Sequence, residues 1–598
     1  MKKLWSISTT VRNPERLRAF LSVLKQLEGS IFNKETQSKY QILLIKERVY
    51  KPKNIPERYR RIFDDYATEL PLDIAEAIFR NQQYEDPPMR GRQSVNPLNK
   101  LGFCIAKESC GPIIITELGN RFIAEDADIS YVLFKSLLKL QFPNPISPAF
   151  NENIGFNIRP MIAAMHLLRQ TNGLTQEEFS LFIPTLINYQ YIDTYHAKIM
   201  ELRGIKSATQ RAEYIEKFLT DFYGVENLSE TQKKNPSEYG DNIMRYFRLT
   251  KYFRVDKGII GPWKIILEPT RKKEIEQILT IYDGKALKFD LKGYIGYMSD
   301  INKPELPWEL DAEKSIEVIT SLRSLIQNQY EHGPSCLKKQ FQERYGTIMN
   351  IKVEELPLLQ KEKYINDLRR LHLDFIQFDK DIRIKRNADE LKKYICILNS
   401  PREYRALEPV DLEFVISQCF KIINDEISIK PNFITDDEGN PIGHAPGNRA
   451  DIEGYYRSFN IIFEVTLDVS RAQVYRESVP VMRHLKNFEE NNQDKRNFCV
   501  FIAPKIHDDT VNYFWIALRY GFEGTRQRIV PLNFSSFLMV LDSIVSVIEN
   551  GEGFSHQSLY DLFDNIVSFA DTVSTSVEWV RGIPRCINDW KLLIAQRN

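Results

Sequence analysis

Two carboxylates in the last third of the chain have the residue types and spacing of a site that cleaves phosphate esters with a metal. Asp451 begins the segment DIEGYY, and Glu464 lies within the apolar run FNIIFEVTL. These segments predict a β-hairpin with its turn at Arg457 and Ser458, which brings both carboxylates to the same end of a sheet. Mg²⁺ prefers oxygen ligands and keeps several waters, so two carboxylates suffice to bind it.

The apolar setting of Glu464 leaves two interpretations open. A charged side chain is almost never fully buried unless it is paired or binds a metal. Ile462 on the same strand face indicates partial burial. Glu464 therefore either faces water on a half-exposed strand or meets a cation. Spacing alone does not separate these, because 80 acidic residues among 598 produce many such pairs by chance.

The elements around the two carboxylates alternate between helix and strand. A helix is predicted over 410–423, before the hairpin, and the pattern continues after it with helix, strand, helix, strand and helix. The later segments are 470–491, 497–504, 507–521, 528–532 and 534–548. This succession predicts a mixed α/β sheet with helices on its faces.

Five segments here, in order and at nearly unbroken spacing, resemble the AlwI-type family of type IIS restriction and nicking endonucleases. They are HAPGNRADIE, FEVT, RESVPVMRHL, CVFIAP and RIVPL. Upstream, LEFVISQCF matches in position, and NPERL, LKQLEG, LGFCI, IITELGNRF and RYFRLTKYF look like the family's recognition region. The resemblance implies a PD-(D/E)xK nuclease fold for the C-terminal domain, with Mg²⁺ as cofactor and double-stranded DNA as substrate.

The resemblance also implies which residues form the site. Asp451 matches the Asp of the motif, Glu464 its central acid and Glu477 the family's substitute for the motif's Lys; all three are predicted metal ligands. Glu413 matches a helix acid that joins the site from upstream. His484 matches a further position, and its spacing of seven from Glu477 places both on one helical face. These five are the predicted catalytic residues.

Two departures from the general superfamily pattern bear on the site. Ala450 stands where the motif has Pro, which contributes no ligand, and Thr466 stands where Lys follows the central acid. Glu477 must therefore replace that Lys differently, by binding a second metal or the attacking water. The alternative for Glu477 is a surface acid paired with Arg471 or Arg476, and the alternative for His484 is a packing role.

Two stretches of the N-terminal half combine a predicted hairpin with helices. Residues 101–123 contain two apolar runs around a Ser-Cys-Gly-Pro turn and then a short helix from Thr116. Residues 241–279 contain a helix, the hairpin YFRVDKGIIGPWKIIL and another helix. Both predict winged-helix-like DNA-recognition subdomains, although other small α/β units share the pattern. Between them, Thr175 and Glu178 predict a capping box at a helix start.

Basic residues in the second stretch fall at intervals of three with aromatic residues between them. This stripe predicts a surface that contacts DNA phosphates, and a solvated helix face fits it equally well. The residues are Arg245, Arg248, Lys251, Arg254 and Lys257. A second run holds seven basic residues between Lys46 and Arg61, against two acids.

The chain is too long for one hydrophobic core, and its length predicts roughly three or four domains. We predict a DNA-recognition region over 1–285, a helical linker over 286–395 and a nuclease domain over 396–598. The fold class is then multidomain, with winged-helix-like subdomains, a helical linker and a restriction-endonuclease-like mixed α/β domain.

Composition narrows the protein class without naming a partner. The 81 basic and 80 acidic residues give a net charge of +1. Seven cysteines without a Cys-x-x-Cys pair argue against a zinc ribbon or a disulfide framework. No apolar run approaches the ~18 residues of a membrane helix, and the N-terminus lacks a signal-peptide core. We expect a soluble protein of the prokaryotic cytoplasm with no membrane partner.

The predicted function is Mg²⁺-dependent hydrolysis of DNA a few base pairs outside a short asymmetric sequence, leaving a 5′-phosphate and a 3′-hydroxyl. Family members cut both strands, through transient pairing of two copies or with a small nuclease subunit, or nick one strand. Two other functions stay open: a winged-helix DNA-binding protein with an inert nuclease domain, and a repair or structure-specific PD-(D/E)xK nuclease. Dependence of cutting on one short sequence separates the last from a restriction enzyme.

Overall fold

The fold is mixed α/β, 63% helical, with small sheets. The computed structural model describes residues 2–8, 10–64, 68–124, 128–256, 263–423, 426–444, 449–551 and 554–597. The chain forms two compact units, one of Met1–Pro56 with Leu70–Leu373 and the other of Glu57–Glu69 with Asp374–Asn598. The three-part division of the sequence stays a prediction. In the part of the chain described, no helix is both long and apolar enough to cross a membrane.

The first part of the chain, up to residue 384, is built mainly from helices. They are α1 (Leu17–Lys25), α2 (Lys34–Lys46), α3 (Glu57–Asp64), α4 (Leu72–Asn81), α5 (Pro87–Lys100), α6 (Glu117–Ile123), α7 (Ile129–Lys139), α8 (Pro160–Thr171), α9 (Gln176–Thr185), α10 (Ile192–Gly204), α11 (Ala208–Tyr223), α12 (Glu230–Leu249), α13 (Lys272–Ile281), α14 (Leu291–Ser299), α15 (Pro307–Leu310), α16 (Ala312–His332), α17 (Ser335–Met349) and α18 (Leu358–Ile384). The capping box predicted at Thr175 and Glu178 is confirmed at the start of α9.

Two small antiparallel sheets lie among these helices. Their strands are β1 (Cys104–Ile105), β2 (Ile114–Ile115), β3 (Leu174–Thr175), β4 (Phe253–Asp256) and β5 (Lys264–Leu267). β1 pairs with β2, and β5 lies between β3 and β4, so both predicted hairpins are confirmed. The winged-helix interpretation of these regions stays a prediction.

The second unit contains the sheet that carries Asp451 and Glu464. Its strands are β6 (Ser428–Pro431), β7 (Ile434–Thr435), β8 (Pro441–Gly443), β9 (Ile452–Tyr455), β10 (Phe459–Val465), β11 (Arg496–Ala503) and β12 (Ile529–Asn533). Its helices after α18 are α19 (Ala388–Asn399), α20 (Pro401–Tyr404), α21 (Pro409–Ile423), α22 (Val479–Asn491), α23 (Asp508–Tyr520), α24 (Phe534–Glu549), α25 (His556–Thr572) and α26 (Ser576–Arg597).

Five of these strands form one mixed sheet in the order β12-β11-β10-β9-β6. β10, β11 and β12 are parallel, whereas β9 runs antiparallel to both β10 and β6. Ile452 pairs with Phe463, so Asp451, one residue before β9, comes beside Glu464 at the same end of the sheet. The predicted hairpin is confirmed.

Helices cover both faces of the central strands. The ring of Phe463 lies 4.0 Å from Phe420 of α21, which in turn lies 5.9 Å from Phe537 of α24. Successive strand residues point to opposite faces, so Glu464 points away from Phe463 and towards α22, which packs against β10 and β11. The mixed sheet with helices on its faces is therefore confirmed, and its two layers of helices bury the strand end on which the carboxylates lie.

Candidate active site

Glu464 is buried, with only 6% of its surface exposed, and faces α22. Nδ1 of His484 on that helix lies 2.8 Å from its Oε1. Burial raises the pKa of Glu464 well above its ordinary value, and the charges of Glu477 and Glu413 raise it further. The interpretation as a water-facing strand acid is therefore wrong, because Glu464 is enclosed among other acids.

Asp451 lies directly before β9 and accepts a hydrogen bond of 2.8 Å from the backbone N–H of Val465. This bond ties the carboxylate to the end of β10 beside Glu464. Burial, followed by the charges of Glu464 and Glu413, raises the pKa of Asp451 well above its ordinary value. The hairpin therefore forces two carboxylates together although their proximity disfavours ionisation of both.

Glu413 reaches the same cluster from α21, as the sequence predicts. It is 4% exposed, and its Oε1 lies 3.1 Å from Nδ1 of His444. Its Oε2 is buried and has no hydrogen-bond partner among the described residues. A buried carboxylate oxygen without a donor is costly for the fold, so Oε2 of Glu413 is a candidate ligand atom for a cation.

Glu477 lies in a π-helical turn, Val474–Ser478, directly before α22. Its Oε1 accepts a 2.9 Å hydrogen bond from the hydroxyl of Thr466, the residue that stands in place of the motif's Lys. Burial raises the pKa of Glu477, although the Thr466 bond opposes that shift. Pro480 is tolerated because it lies in the first turn of α22, where its missing N–H costs little.

The alternative partners considered for Glu477 are engaged elsewhere. Arg476 pairs with Asp468 at 2.8 Å, and Arg471 pairs with Asp509 at 3.2 Å. His484 is held neutral at ordinary pH, because burial, with the charge of Arg483 adding to it, lowers its pKa to about 4. Within the described ranges, the four carboxylates have no Lys or Arg ion-pair partner, and the basic side chains that they contact are the imidazoles of His444 and His484.

The donor set suits a hard divalent cation, since it consists of carboxylate oxygens with one oxygen left unpartnered. No three or more His, Cys, Asp or Glu side chains in the described ranges are arranged so that they could already hold a metal.

The predicted DNA-contacting residues do not form one exposed stripe. Arg248 is buried at 7% exposure, Arg245 pairs with Asp241 at 3.1 Å, and Arg254 pairs with Asp256 at 2.9 Å. Lys251 is half-buried, with a positive φ of 65°, and Lys257 lies outside the described residues. Of the four that the structure describes, Arg245 and Arg248 lie on α12, Lys251 follows that helix and Arg254 lies on β4, and their role in DNA binding stays a prediction.

Sequence reasoning missed two side chains that contact the cluster. His444 opens the segment HAPGNRADIE, and Thr466 was noted only as a missing Lys. Neither contact can be deduced from spacing, because His444 lies 31 residues from Glu413 and Thr466 lies 11 from Glu477 on a different element. The one signal in the sequence was a histidine beside the motif, which by itself more often completes packing.

Comparison with known proteins identifies one family. The family model described as AlwI restriction endonuclease matches residues 99–540, more than half of the chain. Among solved structures, the small subunit of the heterodimeric restriction endonuclease R.BspD6I is 23% identical with a TM-score of 0.27, covering 33% of this chain and 96% of its own. The restriction endonuclease FokI is 11% identical with a TM-score of 0.23, covering 94% and 99%. No curated protein matches the chain.

Proposed function

Because this chain belongs to the AlwI restriction endonuclease family, and is therefore a type II restriction endonuclease, we propose that it cleaves DNA as a type IIS or nicking enzyme at the Asp451–Glu464 cluster. Hydrolysis takes place a few base pairs outside a short asymmetric sequence. The observation that carries the proposal is a set of four gathered carboxylates with no Lys or Arg partner in the described ranges. Such a set is stable in its charged form only beside a cation.

Asp451 and Glu464 are the residues that would hold Mg²⁺, with Glu477 as the third ligand and Glu413 completing the site. Mg²⁺ bound there supplies Lewis acidity towards a phosphate oxygen and shields the carboxylates from one another. The protein supplies the fixed geometry: the Val465 N–H orients Asp451, and the Thr466 hydroxyl orients Glu477. Both contacts come from the backbone and side chain directly after Glu464, so one strand end sets three ligands.

Glu477 and His484 are the groups positioned to take a proton from the attacking water. Glu477 has a raised pKa and one oxygen not held by Thr466, and His484 is neutral at ordinary pH. Water attacks phosphorus in line as its proton passes to one of these groups, the bond from phosphorus to O3′ breaks, and the leaving O3′ takes a proton from solvent water. The products are a 5′-phosphate and a 3′-hydroxyl.

Recognition of the DNA sequence is assigned to the N-terminal region, and cleavage to the second unit. Phosphate contacts give affinity, whereas contacts to base edges give specificity, so the two tasks can be carried by separate parts of the chain. Cleavage of both strands requires a second nuclease centre, from another copy or a small subunit, and nicking requires none. An active enzyme is favoured over an inert DNA-binding protein because the four acids are retained together.

The first test is incubation of the purified protein with supercoiled plasmid and Mg²⁺, followed by sequencing of the ends on both strands. We expect discrete ends at a constant offset from one short motif, and ends on one strand alone if it is a nickase. Absence of Mg²⁺-dependent cutting on a plasmid that contains all short motifs would favour the inert DNA-binding protein. Cutting without a fixed motif would favour a repair or structure-specific nuclease.

DNA affinity provides a second prediction, about the basic run between Lys46 and Arg61. Arg58 and Arg61 on α3 are exposed and form no ion pair in the described part of the chain. We expect Arg58→Ala with Arg61→Ala to weaken binding to DNA of any sequence and to lower the slope of log affinity against log salt by about 2, because each phosphate contact contributes roughly 0.9. Fluorescence anisotropy in EDTA between 50 and 200 mM salt, roughly the range over which such contacts respond, measures this.

The matched control changes the same charge on the same unit. Arg581 and Arg585 are exposed on α26, and Arg585 is paired only loosely with Asp589 at 3.9 Å. Arg581→Ala with Arg585→Ala should leave the salt slope unchanged. If the slope of log affinity against log salt is equal for the two double variants, α3 does not contact DNA.

A further inference from the structure

We propose that His444 is a positioning residue that orients the Glu413 carboxylate for the divalent cation. Its Nδ1 lies 3.1 Å from Oε1 of Glu413, while Oε2 of the same carboxylate is buried and has no hydrogen-bond partner among the described residues. One oxygen is thus held by the protein and the other is presented to a ligand. The inference rests on the proposed function, since it concerns the same cation site.

The location of His444 is set by a short hairpin packed on the helix that carries Glu413. β7 pairs antiparallel with β8, Ile434 opposite Gly443, and β8 packs against α21. His444 follows β8 directly, so its backbone is fixed relative to that helix. A side chain carried in this way meets Glu413 without the entropy cost of ordering a free loop.

Repulsion explains why Glu413 needs such a contact. Glu413 lies close enough to Asp451 and Glu464 for their like charges to repel, so an unheld Glu413 carboxylate gains by turning away from them. A hydrogen bond from Nδ1 opposes that rotation and leaves Oε2 facing the cluster. Residues that orient a metal ligand in this way typically contribute about 10–100-fold to metal affinity or activity.

The contact between His444 and Glu413 is similar to the contact between His484 and Glu464, but it lies closer to solvent. His484 meets Glu464 through the same atom, Nδ1, at 2.8 Å, but its side chain is only 13% exposed. The His444 side chain is 36% exposed. The cluster therefore has one carboxylate held by an enclosed imidazole and one held by an imidazole at its solvent edge, and the second can be changed with less disturbance to the core.

The test compares His444→Ala and His444→Asn in the full-length protein. The Nδ2 of asparagine is as far along the side chain as the Nδ1 of histidine, so Asn restores the donor and Ala removes it. We expect Ala to weaken Mn²⁺ binding, measured by calorimetry without DNA, and to lower kcat, each by about 10–100-fold. KM for plasmid and DNA affinity in EDTA should stay unchanged. Asn should recover most of both losses, and His332→Ala, which changes an exposed residue at the end of α16, should change neither.

Two results would overturn the assignment. In the first, the His444→Ala variant binds Mn²⁺ and cleaves DNA like the wild type; in the second, it loses Mn²⁺ affinity and kcat but the His444→Asn variant does not recover them. If circular dichroism shows that the His444→Ala variant does not fold, the His444→Asn variant provides the test by itself. Mn²⁺ affinity equal to that of the wild type in this variant supports the positioning role, and an affinity lower by about 10-fold or more contradicts it. Failure of the proposed function is seen separately, as a wild-type protein that cuts no DNA. A wild-type protein that binds no Mn²⁺ contradicts both.

Discussion

We expect replacement of Asp451 by asparagine to abolish DNA cleavage and to stabilise the metal-free protein. The amide keeps an acceptor for the Val465 N–H but removes the charge that would ligate the cation. We expect the rate to fall by at least about 10³-fold, as for loss of an essential group in a cooperating set. The melting temperature in EDTA should rise, because Asp451 is a carboxyl whose pKa is raised by burial and by its acidic neighbours. Plasmid cleavage with Mg²⁺ and thermal unfolding in EDTA measure the two effects.

The pairing of opposite effects is what separates a functional acid from a structural one. If a carboxylate merely supports the fold, its substitution lowers the stability of the protein, and the activity falls in proportion. Asp494→Asn is the control, since its carboxylate is exposed at 69% on the same unit. DNA affinity in EDTA should be equal in wild type and both variants. Retained cleavage by the Asp451 variant would show that the site lies elsewhere.

The sheet and the hairpin could be predicted because short-range patterns determine them. The apolar run Phe459–Val465 specifies β10 and the segment before the turn specifies β9, and the register of Ile452 with Phe463 then places Asp451 beside Glu464. The predicted helix that carries Glu413 is α21. Each of these inferences needs only the local pattern of apolar and polar residues and the relative direction of neighbouring strands.

Other features depend on contacts that no local pattern encodes. The π-helical turn that presents Glu477 to Thr466 is a departure from regular helix geometry, and sequence periodicity predicts only an ordinary helix there. The basic stripe illustrates the same limit. Intervals of three place Arg245 and Arg248 on one helix face, but whether that face meets solvent or protein depends on tertiary packing, which buries Arg248.

The proposed binding of Mg²⁺ and the stability of the second unit are linked through pH. The folded-state pKa values of Asp451, Glu464 and Glu477 are all raised. The folded protein therefore binds more protons than the unfolded chain at pH values above about 4, which is the pKa of such groups in an unfolded chain. Their contribution to stability is fully present below that pH and is lost as the pH rises through the folded-state pKa values.

We therefore expect the metal-free wild type to lose melting temperature from pH 5 to pH 8 faster than the double variant Asp451→Asn with Glu464→Gln, which lacks two of the three acids. Mg²⁺ competes with protons for the same oxygens, so it should raise the wild-type melting temperature more at pH 8 than at pH 5 and leave the double variant nearly unchanged. Subtracting the melting temperature of the double variant from that of the wild type at each pH removes the contribution of every other titrating group. Parallel curves for the two proteins, with or without Mg²⁺, would mean that the carboxylates neither titrate nor bind the cation as a cluster. Divergent curves that Mg²⁺ brings together would mean that the instability of the cluster is the consequence of keeping a site ready for a cation.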